Sequence, residues 1–400
     1  MAPQPRDDVC VAVRNRRARV AVAALFLTNG ALFANLLPRY PDIKADLALS
    51  NAQYGFAIAA FSGGALAAGL TAAALIRRYR SARVAVAGSI ALAVFIFVAA
   101  LAPSAVTLAA ALLAAGACDA VTDVAQNAHG LRLQRNYGRS IINSFHAVWS
   151  AGAVLGGAMG AIAIALQIPR TTHLAASAVL FGLVVLAAYP FLLHGPDEGE
   201  RPLARAALSG RPGLVVYATL VALVFLAIAG ALVEDAGSSW ATVYLRDSLH
   251  APGAIAVLGY IAMVGFQFVG RTIGDRLVDR FGQRAVARAG GAITVVGMGA
   301  ALAFPTVPGS VAGFAAVGFG VATLVPAAMH GADQLPGLRA GTGLTAVTWL
   351  MRIGFVASPP LVGVIADATS LRVGLSIVPI AGLAVMLLAS ALSPQSRPTR

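Results

Sequence analysis

The stretch Val20–Leu37, VAVAALFLTNGALFANLL, contains no charged side chain and directly follows Arg14, Arg16, Arg17 and Arg19. A basic segment before an apolar one also begins a secretory signal peptide, but the apolar region of a signal peptide has only about 7 to 15 residues. A helix needs about 20 apolar residues to cross the hydrocarbon core of a bilayer. We therefore expect this stretch to be the first of several membrane-spanning helices.

Eleven further apolar stretches follow it, so the chain is predicted to cross the membrane twelve times. None of them alternates polar and apolar residues as barrel strands do, and a helix pairs all its own backbone groups in lipid. The predicted fold class is an all-α membrane protein of twelve transmembrane helices, in two six-helix halves with pseudo-two-fold symmetry. The predicted spans are residues 19–38, 52–76, 84–101, 105–129, 141–166, 172–194, 212–236, 252–275, 285–304, 309–330, 341–366 and 372–392.

The composition agrees with a protein embedded in lipid. Apolar residues make up 58% of the 400 residues and charged residues 11%, and mean hydropathy is +0.80. The formal net charge of +13 comes without an aromatic-interleaved basic patch or zinc-ligand spacing, so no nucleic-acid partner is expected. Cys10 and Cys118 make no redox or metal framework. We expect neither a metal nor a cofactor.

Arginine and lysine residues are distributed unevenly among the predicted loops. With a cytoplasmic N-terminus, the inner segments hold 23 of them and the outer loops five, and Arg352 is left within a span. Cytoplasmic loops retain positive charge. We therefore expect both termini in the cytoplasm and the protein in the inner (plasma) membrane.

The polar stretch His194–Pro202 separates the first six spans from the last six. The predicted organisation is a cytoplasmic tail at 1–18, a six-helix half at 19–194, a central cytoplasmic loop at 195–211, a second half at 212–392 and a tail at 393–400. Residues 69–83 and 270–284 follow the second span of each half. This weak internal repeat is typical of transporters built from duplicated halves.

The most specific motif is GRTIGDRLVDRFGQR, residues 270–284. It resembles the cytoplasmic loop signature of the major facilitator superfamily. The resemblance implies a conformational latch, in which the carboxylate of Asp275 accepts hydrogen bonds from a helix N-terminus and the arginines hold carboxylates or helix C-termini. The alternative is that the arginines only fix topology. The candidate latch residues are Gly270, Arg271, Gly274, Asp275, Arg276, Asp279, Arg280, Gly282 and Arg284. The first-half stretch 69–83 lacks the Asp and the second Gly, so the latch is expected to be asymmetric.

Four short stretches resemble the sugar-permease-like branch of that superfamily, related to fucose permease. They are NAHG at 127–130, SFHA at 144–147, WATVYLRD at 240–247 and AGTG at 340–343. The resemblance covers nearly the whole chain and implies transport of a sugar or another small organic solute. One fold carries unrelated solutes, so the motifs do not name the substrate.

Asp119, Asp123 and Asn127 follow one another at four-residue spacing and share one face of the fourth span. An ionised carboxylate is costly in hydrocarbon, so this face is expected to border a water-filled pathway, pair with a cation or titrate. The alternative is a static hydrogen-bond network between helices. His146 in the fifth span is a second candidate for proton exchange or for a simple interhelical hydrogen bond.

Three other polar positions are candidates for the pathway. Glu234 and Asp235 lie near the outer end of the seventh span, and Glu234 is favoured because it lies deeper; the alternative is a solvated helix end. Arg352, with Trp349 on its face of the eleventh span, is expected to bind an anionic group or to neutralise Asp119 or Asp123. Asn29 in the first span is expected to contact solute or a neighbouring helix.

The sequence therefore predicts a secondary active transporter that works by alternating access, is not an enzyme and acts as a proton-coupled symporter. No Gly-x-x-x-x-Gly-Lys loop for ATP is present. Its expected partners are a small-molecule solute, protons and the lipid bilayer, and it is expected to be a monomer. The alternative is a drug or metabolite efflux antiporter on the same fold. A membrane receptor or enzyme would need clustered reactive residues or a sizeable soluble domain.

Overall fold

The computed structural model describes residues 5–137, 141–195, 213–338 and 342–392, without the side chains of residues 5–12 and Asn143. Within these ranges the chain forms helices, short 3-10 turns and one π-helical turn, and no strand. Eleven helices are long and apolar enough to cross a membrane, and one bent helix pair gives a twelfth if it counts as one span. The predicted all-helical fold is confirmed.

Eighteen α-helices are described, several of them paired within one span. They are α1 Pro5–Leu36, α2 Tyr40–Asp46, α3 Asn51–Gly69, α4 Ala72–Tyr79, α5 Ser81–Ala100, α6 Ala105–Tyr137, α7 Ile142–Ala165, α8 Arg170–Ala188, α9 Leu214–Val243, α10 Gly253–Ala256, α11 Leu258–Phe281, α12 Gln283–Ala303, α13 Val307–Val321, α14 Leu324–Asp333, α15 Thr342–Leu350, α16 Arg352–Ala368, α17 Leu371–Gly374 and α18 Ile377–Leu388.

The second predicted span, 52–76, is not one straight helix. Helices α3 and α4 meet at 57° across the break at residues 70–71. The Thr71 hydroxyl donates to the Ala68 carbonyl at 2.8 Å, and Gly69 immediately before the break has low helix propensity. The hydropathy profile predicts one continuous span here. The structure divides it, because the Thr71 hydroxyl forms a local hydrogen bond that competes with those of the helix.

The chain forms two compact units, residues 1–39 with 60–199 and residues 40–59 with 200–400. The predicted halves, 19–194 and 212–392, differ from these units at residues 40–59, here called the 40–59 segment. It contains α2 and the first part of α3. Most of the predicted central loop and the whole tail at 393–400 lie outside the described residues.

The two units share an internal repeat with a constant offset of 202 positions. Arg170, at the start of α8, donates through Nε to the carbonyl of Ala100 at the end of α5. Arg372 donates in the same way to the carbonyl of Leu302 near the end of α12. Each guanidinium satisfies a carbonyl that the end of a helix leaves without an intrahelical partner.

The same offset relates Arg80 to Gly282 between the second and third spans of each unit. The backbone of Arg80 has φ 75° and ψ 147°, and that of Gly282 has φ 81° and ψ 154°. Their N–H groups donate to the carbonyls of Ile76 and Val278, at 2.7 and 2.8 Å. Glycine adopts this conformation without a steric cost, whereas arginine does not.

Candidate functional site

The predicted polar face of the fourth span is present on α6 in the first unit. Asp119, Asp123 and Asn127 are half-buried, and Gln126 beside them is fully buried. Asn127 Nδ2 donates to Asp123 Oδ1 at 3.0 Å and to the Asp123 carbonyl at 2.9 Å. The four-residue spacing therefore gives a direct contact between side chains one turn apart.

Helices α1 and α7 extend this polar face into a network. Asn29 Nδ2 on α1 donates to Asp119 Oδ1 at 2.8 Å. Trp149 Nε1 on α7 donates to Asn29 Oδ1 at 2.9 Å. The Asn29 amide therefore joins the indole to the carboxylate, and both of its polar atoms are used.

The second end of the network is His146 on α7. His146 Nε2 lies 3.1 Å from Asn127 Oδ1, and because an amide oxygen only accepts, the imidazole donates there. Its side chain is exposed, and its ring also lies edge-on to Phe26, with centroids 5.3 Å apart. His146 thus joins the carboxylate-bearing face of α6 through Asn127, and its role in proton exchange stays a prediction.

Gln126 connects Asp123 to Asp119 by way of Asn29. Its Nε2 lies 3.5 Å from both Asn29 Oδ1 and Asp123 Oδ1. Its Oε1 is buried and has no hydrogen-bond partner among the described residues. Neither Gln126 nor Trp149 is among the residues predicted from the sequence. Gln126 could have been predicted, because it is a polar amide next to Asn127 in an apolar span. Nothing in the sequence distinguishes Trp149 from an ordinary core residue.

Close backbone contact between α1 and α7 brings Asn29 and Trp149 together. A Cβ added at Gly30 would lie 2.2 Å from the carbonyl oxygen of Trp149, and one added at Gly152 would lie 2.2 Å from that of Leu27. No side chain fits at such distances. Glycines at these two positions let the helices approach closely enough for the Asn29 amide to reach the indole.

The second unit holds the other predicted acids, on α9. Glu234 Oε1 lies 3.6 Å from Arg271 Nη2, and both side chains are partly exposed. Asp235 receives a 3.4 Å hydrogen bond from Ser239 at Oδ1, whereas its buried Oδ2 has no hydrogen-bond partner among the described residues. The prediction that Glu234 faces the pathway stays a prediction, and the structure adds Asp235 as the carboxylate with a buried oxygen that lacks a partner among the described residues.

Aromatic side chains surround the Asp235 region. The rings of Tyr40 and Tyr54 lie 5.7 Å apart and those of Tyr54 and Trp240 lie 4.8 Å apart, both edge to face. Tyr54 also donates its hydroxyl to the carbonyl of Ser239 at 2.7 Å. Trp240 is therefore a fully buried packing residue, not the aromatic anchor at the membrane interface that a solvated helix end would require.

The predicted latch occupies the end of α11 and the start of α12. Arg284 donates to the carbonyls of Ser390 and Leu392, both at 2.8 Å, and thus caps the end of the last span. Asp275 and Arg276 are exposed and make no hydrogen bond or ion pair with the described residues. The helix-terminus contact expected of Asp275 is absent from this part of the structure, and the role of the latch stays a prediction.

Arg352 lies at a joint between two helices. Helix α15 ends at Leu350 and α16 begins at Arg352, which is half-buried. Trp349 is 44% exposed. Because Asp119 and Asp123 belong to the other unit, the predicted ion pair with Arg352 stays a prediction.

Comparison with known protein families agrees with a fold of many membrane-spanning helices. The model of the Major Facilitator Superfamily matches residues 22–277. The chain belongs to this superfamily. An uncharacterised transporter, y4wD of Sinorhizobium fredii, is 32% identical over 372 residues, which cover 93% of this chain and 97% of the relative. Membrane protein MosC of Rhizobium meliloti is 28% identical over 88% of this chain and 84% of its own.

Solved structures share the superfamily fold. The nucleoside transporter NupG matches with a TM-score of 0.72 at 14% identity, over 94% of this chain and 98% of that chain. A bacterial homologue of the human lysosomal transporter Spinster, inward-facing and unoccupied, matches with a TM-score of 0.71 at 14% identity, over 98% of each chain. Together with the family match and the relatives in sequence, the candidate spans make the chain a multi-pass membrane transporter of the superfamily.

Proposed function

We propose that this superfamily transporter is a proton-coupled symporter of a small, neutral, hydroxyl-rich solute, a sugar or a similar organic molecule. The observation that carries the proposal is the network of Asp119, Asn29 and Trp149. It joins a carboxylate and an indole, each hydrogen-bonded to one central amide, on three helices. These groups could exchange their internal hydrogen bonds for bonds to solute hydroxyls, with an aromatic ring beside them.

The acids favour a neutral solute over an anionic one. The stretches that resemble the sugar-permease-like branch include Asn127 and His146, which contact each other here. This juxtaposition supports a sugar-like substrate in preference to the efflux-antiporter alternative.

Proton coupling is proposed for the same network. Asp119 and Asp123 are half-buried in an apolar helix bundle, where a carboxylate is costly unless it is solvated, paired or protonated. Solute binding at the Asn29 amide would change the hydrogen bonds of Asp119 directly. Arg352 is the proposed counter-charge that replaces a bound proton in the other state of the cycle.

The test is solute-driven proton movement in proteoliposomes, with a panel of sugars and small organic solutes. Wild type is compared with Asp119→Asn, Asp123→Asn and Arg352→Gln, and Asp333→Asn at an exposed helix end is the matched control. We expect solute-dependent proton flux in wild type and the control and its loss in both network Asp variants. Solute flux that ignores the pH gradient and survives these changes would make the protein a uniporter with structural carboxylates.

The proposed location is the inner membrane, with both termini in the cytoplasm and the protein as a monomer. The distribution of 23 basic residues on one side against five on the other supports the orientation. A membrane-impermeant maleimide should label Cys10 in whole cells only after permeabilisation, whereas Ala45→Cys, at an exposed position, should react at once in a Cys10→Ser background. The reverse pattern would invert the topology.

A further inference from the structure

A groove of about 770 Å³ runs along the surface of the first unit between α1 and α8. Apolar side chains line most of it, including Val20, Ala24, Val184 and Phe191. Val20 is 67% exposed and Phe191 48%. In a membrane-spanning bundle, such an open apolar surface is in contact with lipid chains.

One end of the groove carries a pair of arginines. Arg16 and Arg17 line it, and both are exposed. Neither forms an ion pair with a carboxylate in the ranges that the structure describes. Arg19 differs, because its guanidinium lies over the Tyr137 ring of α6, 5.8 Å from the centroid. The positive charge at the groove is therefore available to a ligand.

We propose that this groove binds an anionic phospholipid, with one acyl chain along the apolar walls and the phosphodiester against Arg16 and Arg17. From Arg17 to Ala24 the α1 wall rises about 10 Å, so it covers the headgroup-proximal part of an acyl chain in one leaflet, whose hydrocarbon is about 15 Å thick. The site is separate from the polar network on α6 and does not depend on the transported solute.

The arginine pair gives the groove a preference for anionic headgroups. Guanidinium groups match the geometry of phosphate oxygens and remain charged in the headgroup region. Basic pockets between transmembrane helices bind anionic headgroups. A zwitterionic lipid offers the same chains and the same phosphate, but its headgroup cation opposes the two guanidiniums, so the groove selects lipids with net negative charge.

The experiment measures lipid retained by the full-length protein in native mass spectrometry, titrated with phosphatidylglycerol or phosphatidylcholine of the same chains. We compare wild type with Arg16→Gln/Arg17→Gln. The matched control is Arg77→Gln/Arg78→Gln, a second adjacent and exposed arginine pair, on α4. Each basic residue near an anionic surface contributes about a fivefold effect, so we expect about 30-fold weaker phosphatidylglycerol binding in the first variant only.

A second pair of variants tests the groove itself. Ala187→Trp fills it, whereas Val179→Trp adds the same ring at another exposed position of α8. We expect Ala187→Trp to reduce retention of both lipids and Val179→Trp to leave it unchanged. Equal losses in the two arginine variants would show diffuse surface charge and overturn the proposal. So would equal retention of both lipids by wild type, or no effect of Ala187→Trp.

Discussion

Asp235 and Glu234 are adjacent carboxylates with different surroundings. Glu234 lies 3.6 Å from the Arg271 guanidinium and is partly exposed. Asp235 has one buried oxygen without a hydrogen bond among the described residues, close to the packed tyrosine and tryptophan rings. Leaving a buried polar atom unsatisfied costs about 1 to 3 kcal/mol. A carboxylate that costs the fold this much is a candidate for a functional role.

We predict that Asp235→Asn abolishes proton-coupled uptake and leaves the unfolding midpoint unchanged or raised. The amide keeps the shape of the side chain but cannot take up a proton. Glu234→Gln is the control, and because an exposed ion pair contributes at most about 1 kcal/mol, it should retain coupling with a small loss of stability. Full coupling in Asp235→Asn would make that residue structural. Uptake in proteoliposomes and thermal unfolding in detergent provide the two measurements.

Arg80 offers a stability prediction from backbone conformation alone. It has φ 75° and ψ 147°, a region that costs a non-glycine residue about 1 to 3 kcal/mol. Arg80→Gly should therefore stabilise the protein by about 1 kcal/mol after the greater freedom of glycine in the unfolded chain is counted. Arg78→Gly, within α4, should destabilise it by about 1 kcal/mol. Thermal unfolding of the purified variants tests this, and a lower midpoint for Arg80→Gly refutes it.

At the scale of elements, the contact of α1 with α7 determines the geometry of the network. Gly152→Ala would place a Cβ 2.2 Å from the Leu27 carbonyl oxygen, so the helices must separate. We predict a loss of about 1 to 3 kcal/mol in stability and weaker solute binding, since Asn29 is drawn away from Trp149. Gly182→Ala on α8 is the control, because its Cβ meets no atom within 4 Å; it should be neutral or stabilising. Equal behaviour of both variants would contradict the prediction.

Hydropathy predicts the spans, because lipid requires a minimum apolar length of each helix. The four-residue spacing predicts the polar face of α6, because lipid also requires each span to be helical. Contacts between helices are not encoded in these periodicities. The pairing of Asn29 with Trp149 and the bridging position of Gln126 depend on how α1, α6 and α7 pack. Hydropathy likewise gives no signal for the division of the second span at residues 70–71, since it is continuous there.

For the whole molecule, the 40–59 segment departs most from the sequence-based division into halves. It belongs to the first half by order along the chain and to the second unit by packing. Asp42 forms an ion pair with Arg246, and Lys44 one with Asp247 at 3.2 Å. No periodicity predicts these contacts, because they join residues about 200 positions apart.

Asp367 makes the most directional contact to this segment. Its two carboxylate oxygens accept hydrogen bonds from the backbone N–H groups of Asn51 and Ala52, both at 2.8 Å. These N–H groups belong to the first turn of α3, which has no intrahelical acceptor for them, and the helix dipole adds to the attraction for a carboxylate. The Asp367 carboxylate therefore anchors the first turn of α3 within the second unit.

We therefore predict that Asp367→Asn releases the 40–59 segment more than Asp42→Asn does. The amide keeps one acceptor and loses the charge, at a cost of about 1 to 2 kcal/mol, whereas a partly exposed ion pair contributes at most about 1 kcal/mol. Hydrogen exchange followed by mass spectrometry should show amides at 51–56 exchanging about tenfold faster in Asp367→Asn, less so in Asp42→Asn and at the wild-type rate in Asp333→Asn. Exchange that rises equally throughout the chain would indicate general destabilisation, and unchanged exchange at 51–56 would show that Asp367 does not hold the segment.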